Sequence, residues 1–286
     1  MADNDGWATF FALAQDHRRI GDMLVLADEA PGDPQRLDAH RATGVALTEI
    51  GQWTLAQEQF GAALRITPSD SLSRAHLQTL ASMTPASRSD TGQASIMKGW
   101  QPHWVFLFSG HMIDAEGRIP PRFPKGKESA AAQKISEALE QLKAGPEDLA
   151  LTQGACGGDL LFTEACQQRG VKIQWLQPFD ELEFIRKSVV CRGEGWRDRY
   201  LVAKAKLMTE IRSAPVYLGP SPKGVDPFER CNLWLLYTAL AYGINRVQFI
   251  CLWNGGGGDG PGGTAHMYEE VNRRTGQVTW IDSRTL

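Results

Sequence analysis

The chain has 286 residues, 42% of them hydrophobic and 22% charged, with a formal net charge of −3 and a pI near 6.1; it is globular in composition and long enough for one large or two modest domains. The slight acidic balance argues against a general nucleic-acid binder. No apolar run approaches the ~20 residues of a membrane span, and the opening MADNDGWATF lacks the basic start and apolar core of a secretory signal, so a cytoplasmic location is expected.

The first 85 residues are rich in Ala, Leu, Gln and Arg and read as helices. Short amphipathic pieces are expected over Trp7 to Gln15 and Arg18 to Ala27, with a turn at Pro31-Gly32-Asp33-Pro34. Two helical patterns follow, Leu37 to Ile50 and Thr54 to Ile66, joined across Gly51. Gly44, Leu47, Ala56, Phe60, Ala63 and Pro68 fall where a tetratricopeptide repeat has such residues. Gly44 and Ala56 let two helices approach closely, Phe60 fills the gap and Pro68 ends the second helix. This stretch resembles one tetratricopeptide repeat, and Ser71 to Ser82 reads as the next helix or a cap. About three repeats are needed for an independent solenoid. The resemblance therefore implies a surface for a protein partner or for self-association, or a helical appendage. Met83 to Gln101 is polar and aperiodic, so a linker is expected over 86–102, between a helical module (1–85) and a second domain (103–286).

From His103 the pattern alternates between strands and helices, which signals a parallel sheet. Strands are expected at Trp104 to Phe108, Leu149 to Thr152, Val171 to Leu176, Ala214 to Leu218, Val247 to Leu252 and Val278 to Ile281. Helices are expected at Glu128 to Leu142, Asp159 to Arg169, Leu182 to Val189, Trp196 to Ile211, Phe228 to Tyr242 and Tyr268 to Thr275. The fold class that results is α/β: a Rossmann-like parallel sheet with helices on both faces, preceded by the small all-α module.

Ligands of such sheets lie outside the carboxyl ends of the strands, and the unusual residues collect there. Ser109-Gly110-His111 follows the first strand and leads into a proline-rich loop carrying Arg122. Gly154-Ala155-Cys156-Gly157-Gly158-Asp159 follows the second. Pro178-Phe179-Asp180 follows the third, with Glu183 and Arg186 beyond it. The loop WNGGGGDGPGGTAHM, Trp253 to Met267, follows the fifth. Glycine turns that open helices present backbone N–H groups to an anion. Ser109 can bond a phosphate or ribose, Arg122 can pair with a phosphate, and Gly154 lies in the same turn as Gly157 and Gly158. His111 is a candidate acid or base. Asp159 is either a helix cap or an acceptor for a ribose hydroxyl. Glu183 and Arg186 are either an ion pair or site residues. Arg230 and Asn232 begin an apolar helix and face the cleft or cap it. Five cysteines, an odd number without a CxxC pair, read as reduced thiols; Cys156, in a glycine turn before a helix, has the setting that can lower a thiol pKa. No ligand spacing fits a metal site.

The turns Gly157-Gly158-Asp159-Leu160-Leu161 and Pro261-Gly262-Gly263-Thr264 together resemble the two glycine motifs of the SLOG group of Rossmann-like domains. That group includes the lonely-guy phosphoribohydrolases and the DNA-processing DprA proteins. The resemblance covers about residues 103 to 282, and the pairing with a repeat module resembles bacterial tetratricopeptide-repeat proteins that carry such a domain. It implies a nucleotide-like ligand held by the backbone at Gly157, Gly158, Gly262, Gly263 and Thr264. The phosphoribohydrolases carry a glutamate about three residues after that threonine. Here the position is Met267, and Glu269 and Glu270 come later. This departure favours a nucleotide-binding, signalling module over an enzyme. The alternative is an N-glycosidase acting on a nucleotide, with His111, Asp159, Glu183 and Glu269 as candidate catalytic groups. A scaffold with a degenerate site is the third possibility.

Overall fold

The computed structural model describes residues 3–82, 100–257 and 263–286. Most of the expected linker lies outside these residues, and so does Gly262. The chain divides into two units, Met1–Gln101 with Tyr217–Pro222, and Pro102–Val216 with Lys223–Leu286. Among the described residues, no helix is long and apolar enough to cross a membrane.

The first unit is built of helices α1 (Asp3–Asp16), α2 (Ile20–Asp28), α3 (Asp33–Glu49), α4 (Trp53–Ile66) and α5 (Ser71–Ser82). Phe60 of α4 organises the packing. Its side chain is fully buried, and its ring lies where a Cβ on Gly44 of α3 would stand, 2.8 Å from that point. The other side of the ring stacks on His76 of α5 at 4.6 Å. A glycine on α3 is thus what lets the Phe60 ring lie against that helix backbone. Asp70 caps α5 by accepting from the Ser73 N–H at 3.0 Å and pairs with Arg41 of α3. The Arg41 guanidinium holds the Asp70 carboxyl well below the ordinary carboxylate range. We expect Asp70→Asn, which keeps a capping oxygen and loses the ion pair, to cost the helical unit about 1 kcal/mol at neutral pH. A lowered pKa in the fold means that this contribution is present above the unfolded pKa and is lost on acidification. Urea titrations at pH 7 and pH 3 check it, with the gap between the two proteins narrower at the lower pH.

In the second unit six parallel strands run in the order β4-β3-β2-β1-β5-β6. They are β1 (Val105–Gly110), β2 (Leu149–Thr152), β3 (Lys172–Gln177), β4 (Arg212–Ser213), β5 (Val247–Trp253) and β6 (Val278–Asp282). Val105 to Phe108 and Phe249 to Leu252 are buried without a break, as expected of strands covered on both faces. Helices α6 (Glu128–Gln141), α7 (Gly158–Gln168), the short α8 (Glu181–Phe184) and α9 (Gly195–Ala205) follow β1, β2 and β3. The first two cover one face together with α9, which packs on α7. On α6, Ala131, Ile135, Ala138 and Leu139 point into the core, the spacing of one helical face. Beyond β4 come α10 (Ala214–Tyr217), α11 (Pro227–Leu240) and α12 (Thr264–Arg274); α11 and α12 pack on each other and on the central strands.

Three elements differ from the sequence expectation. The fourth strand is Arg212–Ser213, and Ala214 to Tyr217 is a helical turn. Pro215 has no N–H for a ladder and fits the start of a helix. The helix expected to reach Ile211 ends at Ala205. The chain beyond it is tied along β3 instead, by Thr209 Oγ1 donating to the Ile173 carbonyl at 2.6 Å and Gln174 Nε2 donating to the Glu210 carbonyl at 2.6 Å. The last helix begins at Thr264 rather than Tyr268, which puts Thr264 in its first turn.

Candidate functional site

The chain steps from β1 through β2 and β3 to β4 on one side, then returns to place β5 on the other flank of β1. The carboxyl ends of β1 and β5 are therefore the topological switch point, where the connecting chains diverge and leave a crevice. A cavity of about 330 Å³ opens there, within the range of small-molecule sites. Ser109, Gly110, His111 and Arg122 line it from the β1 side. Asp159 and Asn232 line it from the starts of α7 and α11, and Gly263 and Thr264 from the start of α12. Eight of the residues singled out in the sequence thus come together on one wall system.

Each is held by a local device. Ser109 Oγ donates to Thr264 Oγ1 at 3.3 Å, joining the end of β1 to the start of α12. Arg122 lies on a loop pinned twice: its N–H and that of Phe123 both donate to Asp114 Oδ2 at 2.8 Å, and its carbonyl accepts from Ser283 Oγ at 2.7 Å. Asn232 Oδ1 accepts from Gln153 Nε2 at 2.9 Å. Asp159 is 7% exposed. Burial pushes its carboxyl up to about 6, against the opposing hydrogen bond from the Ala155 N–H, which is 3.3 Å long. Burial pushes His111 down to about 4, and the Arg122 charge acts in the same direction. The imidazole is therefore neutral at neutral pH. Its Nε2 accepts from the Asn254 N–H at 3.2 Å, which ties the loop after β1 to the end of β5. In this state His111 is a positioning group and has no proton to give as an imidazolium.

The remaining candidates lie elsewhere. Glu183 is paired with Lys187 at 2.8 Å and Arg186 at 4.0 Å, and neither Glu183 nor Arg186 lines the cavity. Glu269 is exposed on α12. Met267, at the register where a phosphoribohydrolase has its glutamate, is buried. Gly154, Gly157 and Gly158 stand behind the cavity wall. Gly154 packs under the Trp175 ring, and a Cβ on Gly157 or Gly158 would run into the chain of residues 110–113. The Gly158 N–H already donates to the His111 carbonyl at 3.0 Å. These glycines let two loops touch, and the Gly158 N–H is turned to protein.

Sequence reasoning passed over several lining residues. Asp226 caps α11, accepting from the N–H groups of Phe228 and Glu229 at 2.9 and 3.0 Å. The Asp226-Pro227 step is a recognisable helix start and could have been used. Phe228 and Trp253 add aromatic surface. Ser188 left no sequence signal. It lies in a single π-helical turn, Ile185–Val189, of a kind found often at functional sites. It is 1% exposed, its Oγ has no hydrogen-bond partner among the described residues, and it lines the cavity.

No protein-family model matches this chain, and no curated protein matches it. Among the described residues, no three His, Cys, Asp or Glu side chains are grouped as a metal site requires.

Proposed function

We propose that the second unit binds a nucleotide or nucleotide-derived ligand in the cavity between the ends of β1 and β5, and that the first unit carries a protein interaction, so that the chain acts as a cytoplasmic sensor. The observation that carries this reading is the lining of the switch-point cavity. The lining combines an arginine (Arg122) and hydroxyls (Ser109, Thr264) with aromatic rings (Phe228, Trp253) and amides (Gln153, Asn232). A phosphate fits the first group, and a base stacks and hydrogen-bonds in the second.

The test is a thermal-shift panel of nucleosides, nucleoside mono-, di- and triphosphates and NAD-type dinucleotides, with the same samples run on chromatography. A shift without products supports the sensor. Loss of the charge-assisted bonds of Arg122 in Arg122→Met should weaken a phosphorylated ligand about tenfold or more and leave the matching nucleoside unchanged. Equal weakening of both, measured by titration calorimetry, would rule out Arg122 as the phosphate partner. An N-glycosidase remains the second reading, favoured by one observation: the Asp159 carboxyl, raised to about 6, lies in the same cavity as the Asp226 side chain, and a pair of carboxyls is what acid–base cleavage of a glycosidic bond uses. Release of free base in the chromatograms would establish it.

A further inference from the structure

Cys156 and Cys191 are distant in sequence and meet at the back of the cavity. The Cys156 N–H donates to the Ser188 carbonyl at 2.8 Å, which ties the turn before α7 to the π-helical turn. Cys191 follows three residues later, on the 3₁₀ turn Val190–Arg192. Arg192 Nε donates to the Ile113 carbonyl at 2.9 Å, and the Gly158 N–H to the His111 carbonyl at 3.0 Å. Both chain segments are thereby fastened to the same loop, residues 111–113. The two side chains are close enough that each shifts the other's ionisation. One thiol, Cys191, is exposed, and the other, Cys156, is buried.

We propose that Cys191 and Cys156 form a peroxide-reactive thiol pair, with Cys191 as the thiol that is attacked and Cys156 as the one that resolves it into an intramolecular disulfide. Interaction with the Cys156 thiol draws the Cys191 pKa down to about 6, and the neighbouring Arg192 charge acts with it. Cys156 is held above the ordinary thiol range and is the proton donor of the pair. Thiolate is the reactive form of cysteine. In the first step Cys191 thiolate takes one oxygen of hydrogen peroxide, giving sulfenic acid and hydroxide. In the second the Cys156 sulfur displaces that oxygen, and it leaves as water with the thiol proton. Two thiols are oxidised and one peroxide is reduced to two waters. The disulfide staples the turn that contributes Ala155 to the cavity wall onto the helical turn that contributes Ser188. This inference does not depend on the identity of the ligand.

The test uses the full chain, reduced and then exposed to a few equivalents of hydrogen peroxide, with peptide mass spectrometry after denaturing alkylation. The expected product is one Cys156–Cys191 disulfide, reversed by dithiothreitol, with Cys166, Cys231 and Cys251 alkylated. In Cys156→Ala, peroxide should leave Cys191 as a sulfenic acid that dimedone traps, and the pH midpoint of Cys191 alkylation should rise by one pH unit or more. If that variant does not fold, Cys191→Ser at the exposed position serves: all four remaining thiols should stay reduced. Overoxidation of Cys191 in the native protein with Cys156 still reduced would overturn the proposal, as would a Cys191–Cys191 bond between chains or an alkylation midpoint that Cys156→Ala does not move.

Discussion

Replacing Gly157 with alanine should lower the stability of the second unit by about 3–5 kcal/mol, with the melting midpoint falling by roughly 8–15 °C. Two effects add. Gly157 has φ +90° and ψ −127°, a conformation closed to side chains with a Cβ. A Cβ there would also lie 2.6 Å from the Ile113 nitrogen and 2.9 Å from the His111 carbonyl oxygen. Both obstacles are backbone and cannot rotate aside, so the loop after β1 would have to move. Gly158→Ala is the control. Its φ is not positive, and its Cβ would meet its nearest neighbours, Gly110 Cα and a Phe108 ring atom, at 3.2 Å. A cost of about 1–2 kcal/mol is expected there. Equal losses in the two variants, measured by denaturant unfolding, would show that conformation and backbone contact at Gly157 are not the cause. A phosphate cradle at Gly157-Gly158 predicts a different pattern, with ligand affinity lost and stability kept.

The second large effect is pH-dependent. Asp159→Asn should make the protein more stable at pH 7.5 by up to about 3 kcal/mol, the equivalent of moving a carboxyl from 3.8 to about 6 at 1.36 kcal/mol per pH unit. The sign follows from the fold binding the proton more tightly than the unfolded chain does. Below about pH 3.8 the carboxyl is protonated in both states and the substitution changes little. Between 3.8 and 6 the unfolded chain ionises first, and the native protein loses stability relative to the variant. Above 6 the full difference persists. Thermal unfolding at pH 4 and pH 7.5 checks it: a gain of the same size at both would mean that charge is not the cause. A carboxylate kept in a cavity at this cost is characteristic of functional sites. Loss of ligand affinity in the same variant would join the two observations.

Much of the architecture was legible in the residues. Val105 to Phe108 and Phe249 to Leu252 are continuous apolar runs because both faces of a parallel sheet are covered. The 3.6-residue spacing of Ile135, Ala138 and Leu139 marked a helix face, and glycine and proline marked the turns at the strand ends. Element type is written locally, in periodicity and in the few residues that tolerate special backbone. Even there, Pro215 could have shortened the fourth strand. The early end of α9 had no such sign, because the hydrogen bonds from Thr209 and Gln174 that hold its continuation come from the neighbouring strand.

The site was half legible for the same reason. Residues at the ends of β1 and β5 could be named from the chain, and Ser109, His111, Arg122, Asp159 and Thr264 do share one cavity. Their meeting depends on β5 pairing with β1 in the register Ser109↔Cys251 and Gly110↔Leu252, a contact between segments that carry no mark of each other. The same long-range packing turned the Gly158 N–H toward His111, left Glu183 and Glu269 outside the cavity, and brought Ser188 to its wall. Sequence determined which segments are strands, helices and glycine turns, because those depend on neighbours in the chain. Tertiary structure alone decided which turns face a cavity and which face protein, because that depends on strand order and on which backbones approach within 3 Å.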